Sequence, residues 1–366
     1  MNNTKPVIKL DGVLRQFGID TNVSIFPVQQ GLINNTWKIE NGKAAYILQR
    51  VNSMVFKKPE DVAHNISSIA DYLAGHYSGY VFTSPLKTID ENALYKDADG
   101  QYYRLFPFIQ GSHTLNCVET VQQAYEAAKQ FGKFTALLKE FDAQTLKTTI
   151  PSFHNLSLRY NQFLKALENG NAQRIKESLE LINQLKSYSF IVDHFDEIKE
   201  DTQFKLRVTH HDTKISNVLF DKNDKGICVI DLDTVMPGYF ISDVGDMMRT
   251  YLCPVTEEEQ DLDKIVIRPG FFEAIVQGYL EEMKDELSET EKQHFFYAGN
   301  FMIYMQALRF LTDHLNNDFY YGASYPGHNY SRALNQAILL KKFIELSNNG
   351  KLPTNGNLFA KVKTGI

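Results

Sequence analysis

The period of the apolar residues changes along this 366-residue chain, and that change limits the possible folds more than any other sequence feature. Up to about residue 109 the pattern is that of strands. Val23–Val28, Thr36–Glu40 and Ala45–Val51 are short apolar or alternating runs, with Asn41-Gly42 as a hairpin turn between the last two. Leu86–Ile89, Ala93–Tyr95 and Tyr102–Ile109 continue the pattern, with Asp99-Gly100 as a further turn. One helix is expected inside this region, over Asp61–Leu73, where Val62, Ile66, Ile69 and Leu73 share a face. From about Val118 the spacing becomes helical, over Val121–Leu138, Ser157–Leu167, Ala172–Ser187, Phe190–Glu200, Gly270–Lys284, Glu289–Asn316 and Asn329–Asn348. A β-rich island, Leu206–Asp233, interrupts these helices. The expected class is α+β, with a small antiparallel β-lobe carrying one helix (1–109) and a larger, mainly helical lobe (110–366). No internal repeat or low-complexity linker is evident.

The chain has 38 basic and 44 acidic residues, a net charge of -6, which leaves no electrostatic footprint for nucleic acid or an anionic membrane. Three cysteines, Cys117, Cys228 and Cys253, read as reduced thiols rather than a disulfide framework or a zinc site. The N-terminal residues lack the apolar stretch of a signal peptide, and no run is long enough to span a membrane, so a cytoplasmic address is expected.

The chemistry concentrates in 208–249. His210-His211-Asp212-Thr213-Lys214-Ile215-Ser216-Asn217 precedes an apolar strand, Val218–Phe220, a polar turn, and a second strand, Ile227–Ile230, that delivers Asp231-Leu232-Asp233. Phosphoryl transfer from ATP needs a carboxylate to orient the attacking hydroxyl, and cations beside the transferring group. Asp212 suits the first task and Lys214 the second. Asn217 and Asp231 offer the hard oxygens that Mg2+ takes in small number from protein. Asp221–Asp224 lacks the ligand spacing of a calcium loop. Asp243, Asp246 and Arg249 recur every three residues, as on one helical face; Asp246 is expected to brace the catalytic loop.

The order H-x-D-x-K-x-x-N, followed by a strand ending in Asp, resembles the protein-kinase catalytic loop. With Gly31-Leu32-Ile33-Asn34, Tyr46–Asn52, Phe106-Pro107-Phe108, Ile230–Pro237 and Leu308–Leu315, the chain resembles the aminoglycoside phosphotransferase and choline kinase superfamily, and within it the N-acetylhexosamine 1-kinases. The resemblance implies a two-lobed protein-kinase-like fold. It makes Asp212 the catalytic base, Lys214 a phosphate contact, and Asn217 and Asp231 the magnesium ligands. Gly31 and Asn34 would lie at the phosphates, and the backbone of Phe106–Ile109, Phe106 and Phe108 included, would read the adenine edge. Two departures stand out: the phosphate turn has Gly31 in place of a run of glycines, and Gln49 stands where the β-lobe lysine is expected, with Arg50 beside it. Glu60 is the corresponding helix partner.

For the acceptor, Arg309, Asp313 and Asn316 make a polar face at i, i+4 and i+7, followed by Tyr320, Tyr321 and His328. That face reads either as an ion-paired outer surface or as donors and acceptors for a sugar. His154 reads as structural. The readings left open are a sugar 1-kinase, a kinase of choline, homoserine or an aminoglycoside, and a nucleotide-binding pseudokinase.

Overall fold

The structure, a computed structural model, describes residues 10–20, 22–28 and 33–348. The chain divides into two compact units. The first contains the described residues up to 112 together with two later segments, Gln144–Pro151 and Ile230–Met236.

In this unit β1 (Ser24–Val28), β2 (Asn35–Asn41), β3 (Ala44–Val51), β4 (Tyr95–Lys96) and β5 (Tyr102–Pro107) form a sheet in the order β1-β2-β3-β5-β4, antiparallel throughout. The hairpin expected at Asn41-Gly42 joins β2 to β3, with Gly42 at φ 61, the left-handed conformation such a turn needs. Ile39, Leu48 and Leu105 fill the core of one face with Val13, Leu14 and Phe17. The last group belongs to α1 (Asp11–Gln16) and its C-cap, a six-residue helix too short for periodicity to announce. Leu86–Ile89 is not a strand; it makes only an isolated bridge from Leu86 to Leu105.

The expected helix is α2 (Pro59–His76), and its buried face includes Val62, Ile66 and Ile69. Asn65, fully buried on the same face, donates to the carbonyls of Lys147 (2.8 Å) and Val235 (2.9 Å) and accepts the Lys147 N–H (2.8 Å). One side chain thus attaches both later segments to α2.

The second unit is mainly helical: α3 (Val121–Leu137), α4 (Leu156–Asn169), α5 (Ala172–Glu177), α6 (Leu179–Ser187), α7 (Phe190–Glu200), α8 (Phe240–Tyr251), α9 (Pro269–Met283), α10 (Glu289–Lys292), α11 (Phe295–Leu315) and α12 (His328–Asn348). The helix expected over Ala172–Ser187 is two, divided at Ser178; that over Glu289–Asn316 is also two, divided at Gln293 and His294. The α3 start is secured by a Thr120–Gln123 capping box. Buried α8 lies against α11 through Gly245, where an added Cβ would collide with the Ala298 carbonyl. The β-rich island contributes β6 (Arg207–Thr209), β7 (Val218–Phe220) and β8 (Gly226–Val229), and β7 and β8 pair as a hairpin from Val218↔Val229. The chain is therefore a small antiparallel β-lobe and a larger helical lobe. No helix among the described residues is long and apolar enough to cross a membrane.

Candidate active site

In the second unit, the loop from His210 to Asn217 is held from beneath by α8. Asp243 accepts the backbone N–H groups of His210 (3.0 Å) and His211 (2.7 Å), and Asp246 accepts that of Thr213 (2.8 Å). The Thr213 hydroxyl donates to the Asp243 carbonyl (2.8 Å), and the Tyr251 hydroxyl donates to the Thr213 carbonyl (2.6 Å). These partners fix His211 at φ 67, a conformation unusual for a residue with a side chain. Buried His210 packs edge-on against Phe131 at 5.1 Å.

Pinned in this way, the loop presents Asp212. The Asn217 amide nitrogen donates to the Asp212 carbonyl (2.8 Å) and to its Oδ2 (3.1 Å), and Lys214 Nζ lies 3.2 Å from the same oxygen. Because its nitrogen is engaged, Asn217 has its oxygen to offer to a hard cation. Asn217 stands immediately before β7, and Asp231 follows β8 by two residues. An amide oxygen and a carboxylate are each of the hard oxygen type that magnesium takes in small number from protein. Among the described residues no three His, Cys, Asp or Glu side chains are gathered to hold a metal by themselves.

Burial sets the electrostatics beneath the loop. It pushes the Asp243 carboxyl up to about 7, against the pull of the two backbone N–H groups. Burial also raises Asp246, opposed by Arg249. Arg249 bonds Asp246 Oδ1 (3.0 and 3.1 Å) and Glu257 (2.6 Å), and Glu257 in turn bonds Arg332. A chain of ion pairs and hydrogen bonds therefore runs from α12 to the backbone of the loop from His210 to Asn217. Asp243 bonds the loop backbone and Glu257 bonds Arg249, contacts that sequence spacing does not assign to either.

Beside the loop stands a cationic and aromatic wall. His154 and His211 approach Nδ1 to Nδ1 at 3.3 Å, and His154 stacks on Phe153 at 4.5 Å. The Arg309 guanidinium lies over the rings of Phe153 (5.7 Å) and Tyr321 (5.5 Å). Burial holds His154 well below its ordinary range, and His211, Arg309, Arg249 and Arg159 push it the same way. Arg309 does not pair with Asp313. Buried Asp313 instead accepts the N–H groups of Tyr320 (2.7 Å) and Tyr321 (2.9 Å) and the Asn329 amide (3.1 Å), holding the turn that carries both tyrosines. Tyr321 is the tyrosine turned towards Arg309; Tyr320 is 70% exposed.

The first unit holds the positions expected for the nucleotide, apart from Gly31, which lies outside the described residues. Gln49 on β3 is opposite Arg104 on β5 and accepts from its Nε (2.9 Å) and Nη2 (2.7 Å). Arg104 Nη1 is 2.5 Å from Asp233 Oδ1, while Asn34 donates to Asp233 Oδ2 (2.7 Å). Phe106 lies near the Arg104 guanidinium (5.2 Å), and Lys38 sits over the Phe108 ring (4.7 Å). The Phe108 N–H donates to the Ala45 carbonyl (3.0 Å). Glu60 accepts from the Tyr102 hydroxyl (2.6 Å) at the surface, so Gln49 has Arg104 and not Glu60 as its partner.

A braced Asp-Lys-Asn loop in a helical lobe, preceded in the chain by a five-stranded lobe, defines a phosphotransferase of the kinase-like fold. The chain belongs to the phosphotransferase enzyme family, whose model matches residues 24–288. Solved structures of the same fold include a microcompartment-associated aminopropanol kinase (TM-score 0.59, 15% identity, 93% of this chain and 98% of that one). Others are a choline kinase from Cryptosporidium parvum Iowa II (0.55, 15%, 96% and 99%) and a spectinomycin phosphotransferase in complex with ADP and spectinomycin (0.56, 13%, 91% and 97%).

Proposed function

We propose that this protein is an ATP- and magnesium-dependent kinase that phosphorylates a hydroxyl of a small uncharged sugar, the anomeric hydroxyl of an N-acetylhexosamine being the reading the sequence resemblance supports. The observation that carries the acceptor class is the wall beside Asp212. It is built from Arg309, Phe153, His154 and Tyr321, and Asp313 is occupied in holding the turn. Cationic acceptors call for carboxylates or an open aromatic cage. A guanidinium set between aromatic faces suits hydroxyl and amide oxygens, and the rings suit the apolar face of a sugar.

In this reading Asp212 accepts a hydrogen bond from the acceptor hydroxyl, aligns its oxygen with the γ-phosphorus, and takes the proton as the new O–P bond forms and ADP departs. Lys214, half exposed beside Asp212, is placed to meet phosphate charge. Asn217 and Asp231 would hold magnesium, which supplies charge neutralisation at the phosphates. Asp243 and Asp246 keep the loop from relaxing when Asp212 is protonated. Amino-alcohol acceptors are the second reading, favoured by the substrates named for the similar structures.

The test is ADP release with MgATP across N-acetylglucosamine, N-acetylgalactosamine, other hexoses, choline, aminopropanol, homoserine and kanamycin. Stimulation by N-acetyl sugars alone, with an acid-labile sugar phosphate as product, is expected. Stimulation by the amines alone would overturn the sugar assignment. Asp212→Asn is expected to lower turnover by about 10²–10⁴-fold with nucleotide affinity preserved; unchanged turnover removes Asp212 as the base.

A further inference from the structure

Among the described residues, Arg104 is the largest side chain to be fully buried, at 2% exposure. A buried guanidinium is costly unless its charge and donors are met. Here they are met from two sides, by Gln49 Oε1 through Nε and Nη2 and by Asp233 through Nη1. The chain of contacts continues. Asp233 Oδ2 accepts from Asn34, and Asn34 Oδ1 accepts the N–H of Asn52 (2.9 Å), the residue that follows β3. The network starts on β3 and returns to its end, enclosing the 33–35 turn and the 231–234 turn on the way.

Asp231 opens that second turn. It sits at φ 58 and ψ 62 as the residue before the short helical turn Leu232–Thr234, a left-handed conformation uncommon among residues with a side chain and best tolerated by aspartate and asparagine. Asp231 is exposed, whereas Asp233 and the two residues around it are buried. The turn therefore has a buried anchor and an exposed carboxylate two residues apart. On the other side it is secured by the Asn65 bond to the Val235 carbonyl (2.9 Å).

We infer that Arg104, oriented by Gln49, is the positioning residue that fixes the Asp231 carboxylate for magnesium by anchoring Asp233, and that Asp233 is an anchor and not a ligand. The inference rests on the reading of Asp231 as a magnesium ligand. Position 49 on β3 carries no lysine, and the buried cation is supplied from β5, where it acts on the metal-binding turn instead of on the phosphates. Its planar fork engages Gln49 and Asp233 at once, which a lysine ammonium at position 104 does not reproduce.

The test measures equilibrium binding of the non-hydrolysable analogue AMP-PNP, with and without magnesium, alongside thermal melting and turnover. Arg104→Met with Asp233→Asn removes both buried charges together, so neither is left unpaired. It is expected to melt near the parent while requiring about 10–100-fold more magnesium for the same gain in nucleotide binding. Metal-free nucleotide binding is expected to be unchanged. Gln49→Met, which removes only the orienting amide, is expected to shift the magnesium requirement in the same direction by a smaller factor, and it serves if the double variant does not fold. Parental magnesium dependence in whichever of these folds, with Asp231→Asn showing a lost dependence, overturns the positioning role and leaves Asp231 as the ligand. Parental dependence in Asp231→Asn overturns the ligand assignment, and the role of Arg104 with it.

Discussion

Asp243 and Asp246 lie one turn apart on α8 and brace the same loop by different means. Arg249 stands beside Asp246, whereas Asp243 is answered by backbone N–H groups. Burial raises the Asp243 carboxyl from the ordinary 3.8 to about 7. Between those values the folded chain binds a proton that the unfolded chain has released, so this residue's contribution to stability is fullest at low pH and is lost as pH rises towards 7. Melting temperatures from pH 4.5 to 7.5 are expected to show this as a downward slope attributable to Asp243, which Asp243→Asn flattens; equal slopes in the two proteins refute it. That Asp212, Lys214 and Asn217 come together is legible in the sequence because they are packed into a short, ordered motif. The roles of Arg104 and Asp313 are not. Each depends on partners elsewhere in the chain, Asp233 for the first and the 320–321 backbone for the second, and a side chain's distant partner leaves no mark on its own neighbourhood.

At the scale of elements, apolar periodicity locates long helices well. The helix expected over Phe190–Glu200 has the observed bounds, and α3 begins where its capping box says it should. Interruptions are harder to read. Ser178, at φ -97 and ψ 8, divides α5 from α6 while the apolar spacing continues past it, so periodicity alone does not reveal the break. The approach of α8 to α11 is a comparable case: Gly245 reads as an unfavourable residue in a helix, yet it is what lets the two backbones come close. Gly245→Ala is expected to destabilise by about 1–3 kcal/mol despite alanine's better helix propensity, and to loosen the catalytic loop that α8 carries. Chemical denaturation measures the first effect. A stabilised variant would show that the helix contact gives way freely.

At the scale of the molecule, the two units do not correspond to two continuous stretches of chain. The β-lobe takes in Gln144–Pro151 and Ile230–Met236, and Asn65 bonds both. A fragment that stops at residue 112 leaves the Asn65 amide without these partners and lacks the acid that neutralises Arg104. Such a fragment is expected to show no cooperative melting by near-ultraviolet circular dichroism. A sharp transition would mean that the sheet and α2 suffice. The order of synthesis follows from the same threading. A ribosome releases the sheet first, but the amide of Asn65 cannot meet the Val235 carbonyl until the nascent chain has lengthened by 170 residues. The lobe that is begun first is thus finished late, and for much of translation it must wait, incomplete, for a segment that has yet to be made.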